Sequence, residues 1–357
     1  MKKLMLLGTM AIASLAWGQR ALTADTRGPS FCMQNFNAYG PLYAPQTTER
    51  MNWIGALLQD NPRCSAIHLQ EVWSESNIDQ IESALRSKYS ISSPNREQRI
   101  GVMSLFDGQI TGTYTQNFNV NNEGGILDGI REVLNVKKAF HVVRTQLFDM
   151  GEPFYFINTH LHPTSQAVRL TQIIDILQWR LYNQDLKFLL SGDFNADENS
   201  LERELIMTTL GAHDSLLDAY GGEYPAGLCT YCISNPHSWL LESKILDYIF
   251  VSNIGGNETH MKAYNGEVNM RGPMPEPLSD HYGVRVYFEL EQGPNVSSTE
   301  EITARQKALI KALDKTYKIL SAEQEPAFAP YATRVKELKH QILQGSGEFD
   351  EYLKKFN

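Results

Sequence analysis

The sequence has no excess of positive charge and, after its first residues, no long apolar run. Against 41 Asp and Glu it carries 32 Lys and Arg, a net charge of −9, which disfavours a protein that holds nucleic acid on a broad basic surface. Beyond residue 18 no run approaches the ~20 apolar residues that span a bilayer. Only 4 cysteines are present, and neither a second CxxC nor a histidine pair accompanies Cys229 and Cys232, so a zinc site is not indicated.

The N-terminus has the three parts of a secretory signal peptide. Lys2 and Lys3 precede an apolar run that extends from Leu4 to Trp17 and closes on small residues at Ala16 and Gly18. We therefore predict that residues 1–18 are removed and that the mature chain is secreted or periplasmic. In such an oxidising compartment the four cysteines would form two disulfides in one of three pairings, and the CxxC favours a local bridge.

Short runs rich in β-branched and aromatic residues, bounded by turn formers, predict eight strands. They are residues 31–36, 65–70, 101–106, 140–148, 154–159, 188–191, 246–252 and 284–290. Residues 149–153 are typical of a hairpin turn. Apolar spacings of three and four predict amphipathic helices at 47–58, 78–85, 166–181 and 201–210. Because strands outnumber helices, the pattern favours two packed sheets with helices outside.

The composition changes after residue 290. A polar linker leads to Ser298, which with Glu301 forms a possible capping box for a helix that ends near Ala322. A second helix follows Pro330, and Gly345 suits its C-cap. The sequence thus predicts one main domain over 30–290, with a C-terminal helical hairpin over 298–357 docked on it.

Five polar segments follow predicted strands, where side chains can converge on one rim of a sandwich. They are Asn37-Ala38-Tyr39-Gly40, Gln70-Glu71-Val72-Trp73, Asn158-Thr159-His160-Leu161-His162, Ser191-Gly192-Asp193-Phe194-Asn195, and a distal pair formed by Leu246-Asp247-Tyr248 and Leu278-Ser279-Asp280-His281. Each segment alone is a weak signal. Their order along the chain is far more specific, because a chance match to all of them is very rare.

In this order the segments resemble the endonuclease/exonuclease/phosphatase superfamily typified by DNase I. The resemblance covers about residues 31–290 and implies an α/β fold, a four-layer sandwich of two mixed β-sheets flanked by helices. Within the superfamily the chain is most similar to neutral sphingomyelinases. That similarity rests on Asn35-Phe36-Asn37-Ala38-Tyr39-Gly40, Glu71-Val72-Trp73-Ser74-Glu75, Thr159-His160-Leu161-His162, His213-Asp214 with Asp218-Ala219-Tyr220, and Pro277-Leu278-Ser279-Asp280-His281.

The resemblance implies a metal-dependent phosphoester hydrolase. Such a reaction needs a water nucleophile, neutralisation of the phosphoryl oxygens and help for the leaving alkoxide. Glu71 is the predicted main ligand of Mg²⁺, with Mn²⁺ or Co²⁺ as substitutes, and Asn37 and Asp280 complete the site directly or through water. Asn35 is the alternative to Asn37, and Gly40, three residues on, favours Asn37.

The same resemblance assigns acid–base roles. His281 is the predicted general base, because imidazole titrates near neutral pH, and Asp247 holds its ring. His160 and Asn195 are predicted to donate hydrogen bonds to the phosphorane-like charge. Asp193 is predicted to orient the water or to protonate the leaving group.

Sphingomyelin at a membrane surface is the predicted substrate, with ceramide and phosphocholine as products. Secreted bacterial sphingomyelinases use an apolar hairpin shortly before the Ser-Asp-His motif, but the corresponding stretch here, residues 254–276, is mostly polar. Membrane contact is predicted instead from residues 124–127 with Leu134 and Val136. Residues 239–241 are either core or an exposed membrane-contacting loop, and the core is favoured.

Three rival functions stay open. An exported nuclease on the same fold would need a cationic groove, for which Lys137, Lys138, Arg96 and Arg99 are candidates. A second rival is a phosphoesterase that acts on another phospholipid or on a sugar phosphate. A non-catalytic binding module is disfavoured, because the acid, base and metal residues are all intact. His162 and Arg169 are predicted to be structural.

Overall fold

The computed structural model describes residues 30–41, 43–60, 64–94, 96, 99–122, 137–147, 153–254, 259–272, 276–293 and 299–356. The predicted signal peptide lies outside these ranges, as do the predicted membrane-contact residues at 124–136, most of the predicted turn at 149–153, and Ser298.

Twelve strands of the described chain form two mixed sheets of six strands each. The first sheet has the order β11-β12-β1-β2-β4-β3, and its strands are β1 Ser30–Asn37, β2 Ala66–Gln70, β3 Ser90–Ser92, β4 Met103–Phe106, β11 Thr259–Asn269 and β12 Gly283–Gln292. The second has the order β5-β6-β7-β8-β10-β9, with β5 Gly108–Asn117, β6 Ala139–Leu147, β7 Phe154–His160, β8 Phe188–Asp193, β9 His213–Asp214 and β10 Asp247–Ser252. The pairs β1/β2 and β7/β8 are parallel, and the other pairs are antiparallel.

Helices cover the outer face of each sheet and complete four layers. Helices α1 Thr47–Asp60 and α2 Glu75–Leu85 pack their apolar sides on the first sheet. Helices α3 Gln166–Tyr182 and α4 Leu201–Thr209 pack on the second, and the short α5 Ser215–Ala219 lies against β11. Serine side chains cap α2, α3 and α4 by accepting main-chain N–H bonds, as helix N-termini require. The predicted sandwich is therefore confirmed.

The C-terminal residues form the predicted helical hairpin. Its two helices are α6 Thr299–Ala322 and α7 Ala329–Gln344, with a 3₁₀ turn at Pro326–Phe328 before α7. A third helix, α8 Glu348–Lys354, follows the hairpin and was not predicted. Their apolar side chains belong to the same buried cluster as those of α3 and α4. Gly345 ends α7 with φ 60°, as its predicted C-cap role requires.

Buried polar contacts fix this hairpin to the main domain. The Arg180 guanidinium on α3 donates to the carbonyls of Asn183, Leu186 and Ile254 and to the hydroxyl of Tyr352 on α8. Tyr331 on α7 donates to Asp175 Oδ1 over 2.7 Å. Such bonds satisfy groups that would be costly to bury alone.

All eight predicted strands are present, with ends that shift by a few residues, and four further strands were not predicted. Two of these, β5 and β11, are exposed edge strands. The cysteines pair as Cys32–Cys64 and Cys229–Cys232, so the local CxxC bridge is confirmed. Within the described ranges, no helix has both the length and the apolar character needed to cross a bilayer.

Candidate active site

The inward faces of five central strands change from apolar to polar at the same end of the sandwich. On β1, Phe31 and Met33 lie in the core between the sheets, and Asn35 and Asn37 continue that face because side chains two apart point the same way. The other four strands repeat the change: Ala66 precedes His68 and Gln70, Phe156 precedes Asn158 and His160, Leu189 precedes Ser191 and Asp193, and Asp247 precedes Ile249 on the antiparallel β10. The sequence thus builds an apolar core with a polar rim on one edge.

The polar rim forms the floor of a cavity of about 1230 Å³. Six predicted site residues line it, namely Glu71, His160, Asp193, Asn195, Asp280 and His281. Asn37 and Asp247 are buried directly beneath, each hydrogen bonded to one of the lining residues. All eight predicted site residues are therefore brought together.

His281 and Asp247 form a buried hydrogen-bonded pair. The imidazole Nδ1 lies 2.7 Å from Asp247 Oδ2, and Nε2 is directed towards Asp193, 3.6 Å from its Oδ2. Burial lowers the pKa of His281, but the carboxylates of Asp247, Asp193 and Asp280 outweigh it and hold that pKa well above the usual value. The arrangement fixes the ring and leaves Nε2 facing the reaction space. Because the pKa is raised, the ring can accept a proton near neutral pH only when positive charge nearby offsets these carboxylates.

Asp193 is the hub of the site. Its Oδ2 accepts a 2.9 Å bond from Asn37 Nδ2 and lies 3.4 Å from His160 Nε2, and its Oδ1 accepts from the main-chain N–H of Asn195. Burial raises the pKa of Asp193 to about 6. A carboxyl group with such a pKa can give up a proton near neutral pH.

Asn195 and Asn35 hold the hub in place. Asn195 has φ 50°, a left-handed conformation that asparagine tolerates better than most residues, and its Nδ2 donates to the carbonyl of Leu161. Asn35 lies one step deeper than Asn37, where it donates to the Gly192 carbonyl and accepts from Gln70. Asn37 rather than Asn35 therefore reaches the hub.

Glu71 follows β2 in a strained conformation beside His160. Its φ is 60°, and Gly40 lies so close that a Cβ there would be 2.1 Å from the Glu71 carbonyl oxygen. Oε1 is 3.8 Å from His160 Nε2, and Oε2 is buried without a hydrogen-bond partner in the described part of the chain. Burial, followed by the negative charge of Asp280, raises the pKa of Glu71 to about 7.

These features fit a divalent cation at Glu71. An unsatisfied buried carboxylate oxygen with a second carboxylate near it is the donor set that Mg²⁺ binds. A different trio, Asp193, Asp247 and His281, also places three potential ligand atoms within 4.8 Å of one another. We favour Glu71 with Asp280 as the cation ligands. In the trio, His281 Nδ1 and Asp247 Oδ2 are already hydrogen bonded to each other over 2.7 Å.

The loop that carries Asp280 and His281 is held by the segment that ends β1 and by α1. The Ser279 hydroxyl donates to the Asn37 carbonyl over 2.6 Å and accepts from the main-chain N–H of His281. Arg50, buried on α1, donates to the carbonyls of Ala38, Tyr39 and Leu278. The guanidinium therefore ties the Asn37 segment to the Ser-Asp-His segment.

Three residues of the site were not assigned to it from the sequence. Arg50 lies on an ordinary amphipathic helix, Tyr231 lies inside the CxxC, and Lys138 was considered only for nucleic-acid binding. The Tyr231 ring packs edge-on against His281 at 4.9 Å. Lys138 lines the cavity, 5.6 Å from the Trp73 ring, and its charge lowers the pKa of Glu71 against the larger effect of burial. No local pattern marks any of the three.

Several other sequence signals have structural roles. His162 Nδ1 accepts from the N–H of Ser165 before α3, and Arg169 pairs with Glu202 and donates to the His162 carbonyl, consistent with the structural prediction for both. Asp214 caps α5 and pairs with Arg203. The prediction that residues 239–241 belong to the core is wrong, since Trp239 and Leu241 are exposed on a surface loop.

Comparison with known proteins supports the fold. The sequence matches no family model and no curated protein. Similar solved structures include an endonuclease/exonuclease/phosphatase family protein from Bacteroides thetaiotaomicron, with a TM-score of 0.58 and 17% identity over 74% of this chain and 99% of that chain. The mannosyl-6-phosphatase Bt3783 of the same species has a TM-score of 0.55 and 19% identity, over 73% of this chain and 99% of that chain. Beta toxin from Staphylococcus aureus, solved with magnesium ions, has a TM-score of 0.57 and 17% identity, over 72% of this chain and 99% of that chain. The chain thus has the endonuclease/exonuclease/phosphatase fold.

Proposed function

We propose that the protein is an Mg²⁺-dependent phosphodiesterase that hydrolyses sphingomyelin to ceramide and phosphocholine. The observation that carries the hydrolase is the buried His281–Asp247 pair facing Asp193 and His160 across the floor of one cavity. Fold alone does not give an activity, but this set of side chains supplies a base, an acid and hydrogen-bond donors within reach of one substrate.

The chain's own residues account for the proton transfers. His281 Nε2 takes a proton from the attacking water. Its Nδ1–H donates to Asp247, whose carboxylate stabilises the imidazolium that forms. Asp193, with its raised pKa, protonates the leaving alkoxide. His160 donates to the charge that develops on the phosphoryl oxygens.

Glu71 and Asp280 would hold the cation. Asn37 is hydrogen bonded to the neighbouring Asp193. When bound there, Mg²⁺ supplies positive charge that polarises the phosphoryl group and offsets the carboxylates around His281. Beta toxin, whose fold is similar, was solved with magnesium ions, which supports the same choice of cation.

A lipid diester is favoured over DNA for two reasons. The segments quoted above resemble the neutral sphingomyelinase branch. In addition, the cationic groove that a nuclease would need has few available Lys and Arg side chains. Arg96, Arg99 and Lys138 do line the cavity, but Arg96 pairs with Asp79 at 2.5 Å and Glu82 at 3.3 Å, and Lys138 is buried over Trp73. A phosphoesterase that acts on another phospholipid remains the second candidate, since the same floor would serve it.

Export is part of the proposal. The signal peptide predicted at residues 1–18 supports a secreted or periplasmic location, and so do the two disulfides, because reducing compartments seldom preserve them.

The test is hydrolysis of sphingomyelin liposomes and of plasmid DNA in parallel, each with Mg²⁺ and with EDTA. Phosphocholine release that needs the metal and disappears in His281→Ala would support the proposal. DNA cleavage with intact liposomes would replace it with the nuclease. Release of headgroups from phosphatidylcholine but not from sphingomyelin would point to another phospholipid.

A further inference from the structure

The loop between the Cys229–Cys232 disulfide and β10 carries an exposed apolar tip at the mouth of the cavity. The tip consists of Ile233, Trp239, Leu240 and Leu241, which are 58%, 79%, 44% and 95% exposed. Leu240 also lines the cavity. Large exposed apolar side chains are common as single residues, but a cluster of four on one short loop indicates a contact surface.

The base of this loop is rigid, although its tip is exposed. Besides the disulfide, Tyr231 and Lys244 form a β-bridge, and Ser243 Oγ accepts from the N–H of Ile233. The Tyr231 hydroxyl accepts a 2.7 Å bond from the N–H of Trp239. The tip is therefore a preformed projection and pays little ordering entropy when it makes contact.

The loop is also in contact with the catalytic floor. The same Tyr231 whose hydroxyl holds Trp239 packs its ring against His281, and His237 lies 5.8 Å from the Tyr39 ring at the cavity wall. Asn235 Nδ2 donates to the Ser279 carbonyl over 2.8 Å. A surface that receives the tip would therefore lie directly over the cavity mouth.

We infer that the tip formed by Ile233, Trp239, Leu240 and Leu241 inserts into the interfacial layer of a lipid bilayer and holds the cavity mouth against the lipid headgroups. Tryptophan and leucine together on a projection suit that layer, where an amphipathic ring meets both acyl chains and water. A protein seated on the same projection would cover the mouth, whereas a bilayer presents its own phosphodiesters to it. The inference rests on the proposed function, because a membrane phosphodiester as the substrate is what favours a bilayer over a protein at this position.

The neighbouring charges indicate the type of membrane. Glu242 and Lys244 follow the tip and have opposite signs, and the chain as a whole has a net charge of −9. A strongly anionic bilayer would repel such a protein. The tip should therefore bind zwitterionic phosphocholine surfaces through apolar insertion, with little dependence on salt.

The experiment compares the double variant Trp239→Ala with Leu241→Ser against a matched control, Tyr182→Ala with Leu343→Ser, which removes exposed apolar side chains elsewhere. Flotation with vesicles of equimolar phosphatidylcholine and sphingomyelin is measured in the His281→Ala background, so that lipid is not consumed. We expect the tip variant to bind about tenfold more weakly or worse, and the control to bind like the parent. In the His281-containing protein, hydrolysis of the soluble diester bis(p-nitrophenyl) phosphate should be equal in both.

A second measurement does not depend on the folding of a multiple variant. Tryptophan fluorescence of the parent should be quenched by brominated phosphatidylcholine in the vesicles, and Trp239→Phe should remove most of that quenching. Unchanged flotation of the tip variant, or no vesicle binding by the parent, would overturn the inference. A dimer in sedimentation that the tip variant converts to a monomer, without vesicle binding, would replace the bilayer with a second copy.

These outcomes separate the inference from the proposed function. Vesicle binding that needs the tip, without release of phosphocholine, supports the lipid contact and rejects sphingomyelin as the substrate. If the tip variant and its parent release phosphocholine at equal rates and float equally, sphingomyelin is supported as the substrate and the lipid contact of the tip is rejected.

Discussion

His281 and Asp247 form their 2.7 Å hydrogen bond across the sandwich, since His281 precedes β12 of the first sheet and Asp247 begins β10 of the second. Removal of the base in His281→Ala should lower kcat by about 10³-fold or more, with little change in KM. Asp247→Asn, which misplaces the imidazole proton, should lower kcat by about 10²-fold or more. His213→Ala, an exposed histidine outside the cavity, is the matched control and should keep full activity. Equal rates for His281→Ala and the wild type would remove the base from the mechanism.

Glu71→Gln should uncouple the protein from Mg²⁺. The wild type should gain melting temperature when Mg²⁺ is added, because the ion binds the folded state, and the variant should gain little. In EDTA, at a pH above the pKa of Glu71, the variant should instead have the higher melting temperature. Since the pKa of Glu71 rises from 4.5 to about 7 on folding, its ionisation costs stability as pH increases over that range, so Glu71→Gln should melt higher at pH 8. Glu223→Gln, an exposed change, should behave like the wild type in both tests. A full Mg²⁺ response in Glu71→Gln would place the ion elsewhere, for example at Asp193 and His281.

Gly192→Ala should damage the site through the backbone. A Cβ at residue 192 would lie 1.9 Å from the carbonyl oxygen of Thr159 on the neighbouring strand, so β7 and β8 would have to separate beside Asp193. We expect a loss of more than about 2 kcal/mol in the free energy of unfolding, together with a loss of activity. Gly112→Ala, where the nearest atom is 3.9 Å away, should change stability by less than about 0.5 kcal/mol. Urea unfolding of both variants measures the contrast, and similar midpoints would show that the strands can adjust.

His141 should make the fold sensitive to acid. It is buried between the hydroxyls of Ser92 and Thr115, and burial lowers its pKa from 6.5 to about 4. The unfolded chain therefore binds the proton first, and stability should fall by up to about 3 kcal/mol as pH drops from 6.5 to 4. Urea midpoints across this range should decline less steeply in His141→Gln, and the exposed control His340→Gln should decline like the wild type. Parallel curves for His141→Gln and the wild type would contradict the assignment.

Arg180→Ala should loosen the C-terminal hairpin. The change leaves three main-chain carbonyls and the Tyr352 hydroxyl without their donor, at a cost of about 3 kcal/mol or more. Limited proteolysis should then cleave within residues 299–356 faster than in the wild type. Arg86→Ala, at the exposed end of α2, is the control and should leave the cleavage rate unchanged. Equal cleavage of all three proteins would mean that apolar packing and the bond between Tyr331 and Asp175 hold the C-terminal helices without Arg180.

The sequence predicted the central strands and the floor of the cavity, because both depend on local patterns. Strands such as β8 are short apolar runs that end in polar motifs, and the order of those motifs predicted the fold that the structure shows. The edge strands β5 and β11 escaped prediction because their exposed faces carry Thr, Gln, Asn and Glu instead of an apolar alternation.

Tertiary placement explains the remaining errors. Arg50 and Tyr231 enter the site through contacts with segments far along the chain, and no spacing near either residue indicates them. Residues 239–241 have the composition of a core segment, but the loop that carries them is turned outward by the disulfide and the bridge at its base. Whether such a run is buried depends on the surrounding chain and not on the run itself.

Among the hydrogen bonds that join the sheets at the rim, those between Asn37 and Asp193 and between His281 and Asp247 involve reacting groups. The rate of turnover therefore depends on how closely the two sheets are packed. Neither sheet holds a complete set of reacting groups, so a slight parting of the layers would separate base from acid before any strand is lost. Under rising denaturant, activity should therefore disappear ahead of the loss of β-structure. Neither half of the chain, produced alone, would retain a partial activity.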